Sequence, residues 1–301
     1  MRQALILIAA YIDDLISADP SLERSVSNVK SIIGILTDLG FFINVEKSIF
    51  IPCQIMEFLG FVLNSLEMSI SLTTEKSTKL VLLCDQVLRD PSLTIRQVSR
   101  LLGKMTSSML AVRFSKMHYR NLECCKLQAL KSSKGNYDAK IHLDPLAQED
   151  ITWWQENVMH SKCSFAVSNP TCWMSSDACD YGWGAVFGDS ATGGVFSEEE
   201  AALHINVKEL QACDFGLQSL CGDVSDCHLK VLMDNTTAVQ SLNKMGSMRC
   251  VELDELSKKA WEWAIDKRIL LSASHIPGIY NEEADEESRR GEQSSEWMLN
   301  S

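Results

Sequence analysis

Apolar and polar positions along the chain fall into three stretches of different rhythm. Through residues 4–72 the period is mostly two. The apolar run ALILIAAYI (4–12) meets Asp13 and Asp14 and resumes as LISA, which predicts a hairpin with carboxylates at its tip. One interruption has helical period: Val26, Val29, Ile32, Ile33, Ile35 and Leu36 share a face, and Gly40 stands where a C-cap glycine belongs. FFINVEKSIF (41–50) and IMEFLGFVLNSLEMSISL (55–72) alternate again and predict further paired strands. The second stretch, 74–130, is helical. Asp90-Pro91 breaks it, and Thr94 with Gln97 forms a capping-box pattern before TIRQVSRLLGKMTSSMLAV. KSSKGNYDAK (131–140) reads as a loop, and Leu146–Val158 as a helix with Trp153 and Trp154 near its end.

The third stretch begins near Thr171. CWMSSDA, WGAVFGD and GGVFS read as three strands, with Gly182 and Gly184 near the first turn. The helix NVKELQACDFGLQSL, the strand HLKVLMD, the helices TTAVQSLNKM and VELDELSKKAWEWAIDKR, the strand ILLSASHIP and a last helix from NEEADEESRR follow. Three meandering strands followed by alternating helix and strand predict an α/β domain with a mixed sheet. No internal repeat is visible.

The 301 residues suffice for about two domains. The apolar run at 4–12 is shorter than the roughly 20 residues a bilayer span needs, and it leads into two aspartates without a small-residue cleavage pattern. A buried strand is therefore expected there, and no membrane segment. The eleven cysteines contain no CxxC pair, which speaks against a zinc site or a secreted disulfide framework. Cys221, Cys227 and His228 fit no common zinc spacing. Reduced thiols in an intracellular protein, cytoplasmic or nuclear, are the expectation.

Charge adds an asymmetry. The net charge of −12 argues against a protein that simply coats nucleic acid. Residues 1–150 sum to +1 and 151–301 to −13, yet 75–140 carries 13 basic and 5 acidic side chains. Such a segment is either a phosphate-contacting surface or an ordinary solvated helix face.

Four acids stand where structure would bring them together. Asp177 lies on the first strand of the third stretch, Glu209 in its first helix, Asp234 at the end of the apolar strand VLM, and Asp285 in the last helix. Four converging carboxylates form a hard oxygen cage, suited to two Mg²⁺ or Mn²⁺ ions roughly 3.5–4 Å apart in phosphodiester chemistry. Any one of them alone is an unremarked surface charge among 40 acidic residues.

SSDACDYGWGAVF, HINVKELQAC, VLMDNTTAVQSLNKMG and SHIPGIYNEEADEESR resemble, in order, the four motif blocks of the ribonuclease H domain of reverse-transcribing elements. The resemblance covers about 171–292. It implies Asp177, Glu209, Asp234 and Asp285 as metal ligands and His275 as a mobile residue assisting water positioning or product release. His275 precedes Asp285 by ten residues and Asn281 by six, as in the family. One position departs: a leucine expected before the Ser-Arg pair is Glu287, whose burial without a partner would be costly.

YIDDL (11–15) resembles the polymerase signature of reverse transcriptases. LGFFINVEKS resembles the next palm motif, with Lys47 near the incoming phosphates. FLGFVLNSLEMSISL resembles the primer-gripping hairpin, and TIRQVSRLLGKMTSSMLA the thumb. Among retroelements the set is most similar to DIRS-type retrotransposons. The implied architecture is a truncated palm (1–73), a helical thumb and connection (74–160), a ribonuclease H-like α/β domain with a mixed five-stranded sheet (171–292) and a tail (293–301) in which SEWMLNS resembles the start of a further segment. A reverse transcriptase also needs fingers and an earlier aspartate, upstream of where this sequence starts. Asp13, Asp14 and Lys47 are therefore expected to be a polymerase remnant, with the missing portion either lost or supplied by another chain. Two functional readings stand: a metal-dependent endonuclease cutting the RNA strand of RNA–DNA hybrids, without polymerase activity, or an inactive relic that binds nucleic acid or protein.

Overall fold

The computed structural model describes residues 6–166 and 168–298, with only the backbone course over 291–298. Residues 4, 5 and 299–301, the ends of the expected first strand and tail, lie outside the described residues. The chain divides into two compact units. One comprises residues to Lys79 with Leu110–Val112 and Val158–Ala166; the other comprises Leu80–Met109, Arg113–Asn157 and the chain from 167 onward. Helical residues 80–109 and 113–157 fall in the second unit.

In the first unit, β1 (Leu7–Tyr11) and β2 (Asp14–Ala18) form the expected hairpin, pairing Tyr11 with Asp14 across a turn in which Ile12 takes φ +53°. α1 (Leu22–Asp38) starts at Ser21, whose side chain accepts from the Arg24 N–H. It ends before Gly40, which takes φ +81°, the left-handed conformation glycine adopts without penalty. The expected strand FFINVEKSIF does not form. Asn44 instead accepts from the Lys47 N–H and closes a 3₁₀ turn over Val45–Lys47, a local bond that competes with strand pairing. β3 (Ile55–Phe58), β4 (Phe61–Asn64) and β5 (Ser69–Leu72) make an antiparallel meander.

α2 (Thr74–Arg89) leads to α3 (Ile95–Ser108), whose Thr94–Gln97 capping box is formed on both sides. Its face of Ile95, Val98, Leu101, Leu102 and Met105 is buried, as period 3.6 requires. α4 (Arg120–Ser132) and α5 (Pro145–Asn157) are joined by Asp150, which accepts from the Leu122 N–H at 3.1 Å. Trp154, fully buried, donates to the His118 carbonyl at 2.7 Å. β6 (Lys162–Ser164) adds an unforeseen fourth strand beside β5; three residues are too few to show a period.

The C-terminal sheet has β7 (Cys172–Ala178), β8 (Gly182–Phe187) and β9 (Ser190–Val195), then the short α6 (Glu198–Ala201) and α7 (Ile205–Leu220). β10 (His228–Met233), α8 (Thr236–Asn243), α9 (Val251–Asp266), β11 (Leu270–His275) and α10 (Glu282–Met298) complete it. The order is β11-β10-β7-β8-β9. β10 runs parallel to β7 and β11, while β7-β8-β9 is antiparallel, giving the expected five-stranded mixed sheet. Alternation puts Met174, Leu229, Val231, Met233 and Leu271 into the core with Leu210, Leu217 and Trp261 of the helices. Met117 is buried in this same core, and Phe114 stacks obliquely on Trp261 with centroids 6.2 Å apart. Arg120, only 5% exposed, donates to the carbonyls of Lys244 (2.7 Å) and Met245 (2.5 Å) at the end of α8. Its charge also lies 3.4 Å from Asp254. A buried guanidinium on the carbonyl end of a helix satisfies orphan acceptors and favours the helix dipole.

α10 covers the β8–β9 half of the sheet at close range. Asp177, Gly184 and Gly193 are successive partners across β7, β8 and β9. A Cβ on Gly182, Gly184 or Gly193 would strike the backbone of Ala284, Glu287 or Ser288. Gly182 and Gly184 stand beside the β7–β8 turn, as expected, at the start of β8 with negative φ, and what requires glycine there is the approach of α10.

Candidate metal centre

Three of the four predicted ligands come together. Asp177, Glu209 and Asp234 each present a carboxylate oxygen, and these oxygens all lie within 4.8 Å of one another. No other set of three or more His, Cys, Asp or Glu side chains does so among the described residues. Each acid is delivered by a different device. Asp177 is the sixth residue of β7, on the face opposite Met174 and Ser176. Glu209 projects from the second turn of α7, 4% exposed. Asp234 follows the last residue of β10, and Asn235 behind it caps α8, accepting from Thr237 and Ala238 at 3.0 Å. The Asn235 amide also donates to Asn206 Oδ1 at 2.9 Å, tying the start of α8 to the first turn of α7.

The electrostatics are those of crowded, poorly solvated anions. Burial, reinforced by Asp177 and Asp234, pushes the Glu209 carboxyl up to about 9. Burial also raises Asp177, to about 6, with Asp234 and Asp285 adding to the rise and Ser288 and Arg289 opposing it. Glu209 Oε2 is buried without a hydrogen-bond partner. An ionised oxygen in that position is stable only beside a cation or a donor.

Asp285 and His275 stand outside this group. Asp285 lies in the first turn of α10, its N–H bonded to the Asn281 carbonyl and its Oδ1 accepting from Arg289 Nε at 2.8 Å. Asn281, 3% exposed, donates to the Ser176 carbonyl at 3.0 Å, which anchors the helix start beside β7. His275 is the exposed last residue of β11, paired in register with Met233, the residue before Asp234. Glu287 is buried, but not alone: Arg290 Nη1 lies 2.7 Å from its Oε1. The charge that replaces leucine is therefore compensated.

Asp13 sits in the β1–β2 turn, Asp14 opens β2, and Lys47 closes the 3₁₀ turn; all three are exposed. Neither aspartate belongs to a three-ligand set among the described residues. Cys221 is buried, and His228 bonds Ser168 and Ser272, so the residues that fit no zinc spacing form no ligand set. All eleven cysteines are free thiols.

Sequence reasoning missed three contributors. Lys208, 3% exposed, holds the β7–β8 turn through the Asp180 carbonyl at 3.0 Å. Cys179 donates to the Ser288 carbonyl, and Ser288 bonds Asp177. Their signal was adjacency: each lies within three residues of a predicted ligand.

No family model and no curated protein matches the chain. Solved structures do. The foamy viral protease-reverse transcriptase in complex with an RNA/DNA hybrid is 16% identical with TM-score 0.44, over 89% of this chain and 35% of that one. The foamy viral protease-reverse transcriptase in complex with double-stranded DNA is 16% identical with TM-score 0.43, over 89% and 54%. The RNase H1 of the halophilic archaeon Halobacterium salinarum NRC-1 is 16% identical with TM-score 0.35, over 41% of this chain and 96% of that one. The chain thus spans between about a third and just over half of these two reverse transcriptase chains.

Proposed function

We propose that residues 171–292 form a metal-dependent ribonuclease H that cuts the RNA strand of RNA–DNA hybrids. The observation that carries this reading is the Asp177–Glu209–Asp234 group, with Glu209 Oε2 buried and unpartnered. Oxygen-only donors of this kind fit a hard divalent cation, Mg²⁺ or Mn²⁺. In this reading Asp285 is the fourth ligand of a two-ion centre. When bound, the ions supply charge neutralisation at the phosphodiester and a more acidic water.

The chain's own residues do the rest. Asn235 and Asn206 fix the strand end that carries Asp234 against the helix that carries Glu209. Asn281 sets the start of α10 and, through it, Asp285. His275, exposed at the end of β11 and paired in register with the residue before Asp234, is the residue that assists water positioning or product release. Arg100, Lys104, Lys131 and Lys134, all exposed on the helical segment, supply contacts to phosphates that the acidic sheet domain lacks. Hybrid shape and 2′-hydroxyls, rather than sequence, are then what is recognised.

The test is cleavage of a labelled RNA–DNA hybrid by the full chain with Mg²⁺ or Mn²⁺, beside Asp234→Asn. Loss of RNA-strand cleavage in the variant supports the reading. A folded, metal-supplied wild type that leaves the hybrid intact refutes it, and favours a nucleic-acid- or protein-binding role instead. We propose no DNA polymerase activity for the chain, since Asp13 and Asp14 join no third carboxylate among the described residues. Nucleotide incorporation on a primed RNA template would contradict this.

A further inference from the structure

We propose that Ser288 is a positioning residue of the metal centre: its hydroxyl holds the Asp177 carboxylate in place and locks α10, with Asp285, to the sheet that bears the other acids. This rests on the metal reading given above. Ser288 is fully buried. Its Oγ lies 2.9 Å from Asp177 Oδ2 and 2.8 Å from the Asp285 carbonyl. The hydroxyl has one proton for these two acceptors, and an ionised carboxylate is the stronger of them. Holding Oδ2 restrains the rotation that would carry Asp177 away from two carboxylates that repel it.

The same residue is fixed from its other side. Its carbonyl accepts the Cys179 thiol at 3.1 Å, and the Cys179 sulfur accepts the Gly182 N–H at 3.2 Å. One residue therefore ties β7, the β7–β8 turn and α10 together next to a ligand. The placement needs the glycines of β8, because a Cβ on Gly182 or Gly184 would run into the Ser288 backbone. A serine that only filled space would need no carboxylate within hydrogen-bond distance. An outer partner of a ligand of this kind commonly governs metal affinity.

The experiment is Mn²⁺ titration of the full chain, followed by electron paramagnetic resonance, with each variant's fold checked by circular dichroism. Ser288→Ala is expected to bind Mn²⁺ about 10- to 100-fold more weakly than wild type. In an Asp177→Asn background the same substitution is expected to add little, because the bond it removes is already altered. Ser77→Ala also removes a buried serine hydroxyl, one that bonds the Thr73 and Thr74 carbonyls and none of the acids of the centre, so it is expected to bind like wild type. Ser288→Cys, similar in shape but a weaker donor, is expected to fall between, and it carries the test if Ser288→Ala does not fold. Wild-type affinity in Ser288→Ala, or an equal loss in Ser77→Ala, overturns the proposal while leaving the metal reading intact. A wild type that binds no Mn²⁺ overturns the metal reading, and this one with it.

Discussion

Replacing Gly184 by alanine adds one methyl group at the point where α10 lies against the sheet. An ideal Cβ there would stand 2.5 Å from the Ser288 nitrogen and 2.7 Å from Glu287 Cβ, and closer still to the Ala284 carbonyl. Ordinary contact begins at 3.4 Å, and two of the three atoms are helix backbone that no rotamer change can move. α10 must therefore withdraw by about 1 Å, a displacement able to cost a positioned site about 100-fold. The overpacking itself costs about 1–3 kcal/mol. Ser288 and Asp285 ride on the displaced helix, so the expected outcome is a lower urea midpoint together with weaker Mn²⁺ binding and slower hybrid cleavage. Gly103→Ala is the control. It sits exposed in α3 with nothing within 4 Å of its Cβ position, and it should stabilise the protein by about 0.5–1 kcal/mol. Gly184→Ala with wild-type melting and wild-type Mn²⁺ affinity would refute the close seating of α10.

Three further outcomes are expected. Arg120→Met removes a buried guanidinium from two helix-end carbonyls and from Asp254, which keeps Lys258 at 2.8 Å; a loss of about 3 kcal/mol is expected in urea unfolding, near the lower end for breaking a buried pair. His118 is held down to about 4 by burial, so the unfolded chain takes up a proton over a range where the folded one does not. Its contribution is complete above the ordinary value of 6.5 and is lost as pH falls towards 4; His118→Phe, which keeps an aromatic on Trp153, should flatten that acid limb in pH-dependent melts. Asp234→Asn removes a like charge beside Asp177 and Glu209, so without metal it should melt higher than wild type by roughly 1 kcal/mol, while losing the melting-temperature gain that Mn²⁺ gives the wild type. A variant that melts lower, or that keeps the Mn²⁺ gain, would contradict the crowding argument.

How much of this was legible in the sequence depends on the range over which each feature is decided. The capping box at Thr94, the hairpin at Asp13–Asp14 and the helix before Gly40 are local, and local pattern shows them. The five-stranded sheet was readable because its strands alternate and its helices carry clear apolar faces. FFINVEKSIF misled because its alternation was real, but Asn44 closes a turn that alternation does not encode. The glycines of β8 and β9 were readable as glycines, though not as a landing site. Their partner α10 lies about a hundred residues downstream, and no period links the two. Whether Glu287 would be buried was left open by the sequence. It is buried, and Arg290, three residues on, pairs with it. The three acids could be named from their motif blocks, but that Asp285 lies apart from them could not.

The acids also differ in how they are held. Lys208, next in sequence to Glu209, directs its ammonium to the carbonyls of Asp180 and Ala201 at 3.0 and 3.4 Å. Asp177 is held by a neutral hydroxyl, and Asp234 is positioned through the neutral amides of Asn235 and Asn206. Neutral donors fix the geometry without cancelling the charge, so the negative potential stays available for a divalent cation. A lysine paired with Glu209 would instead have to be displaced by each incoming ion. The exception is Arg289 on Asp285, and it lies at the rim, with side chains 59% and 41% exposed. An exposed pair of this kind stabilises by at most about 1 kcal/mol. Breaking the Asp285–Arg289 pair therefore costs little, whereas the three acids brought together have no such partner to lose. Under the proposed two-ion reading, Asp285 is thus the acid whose present partner is the cheapest to give up.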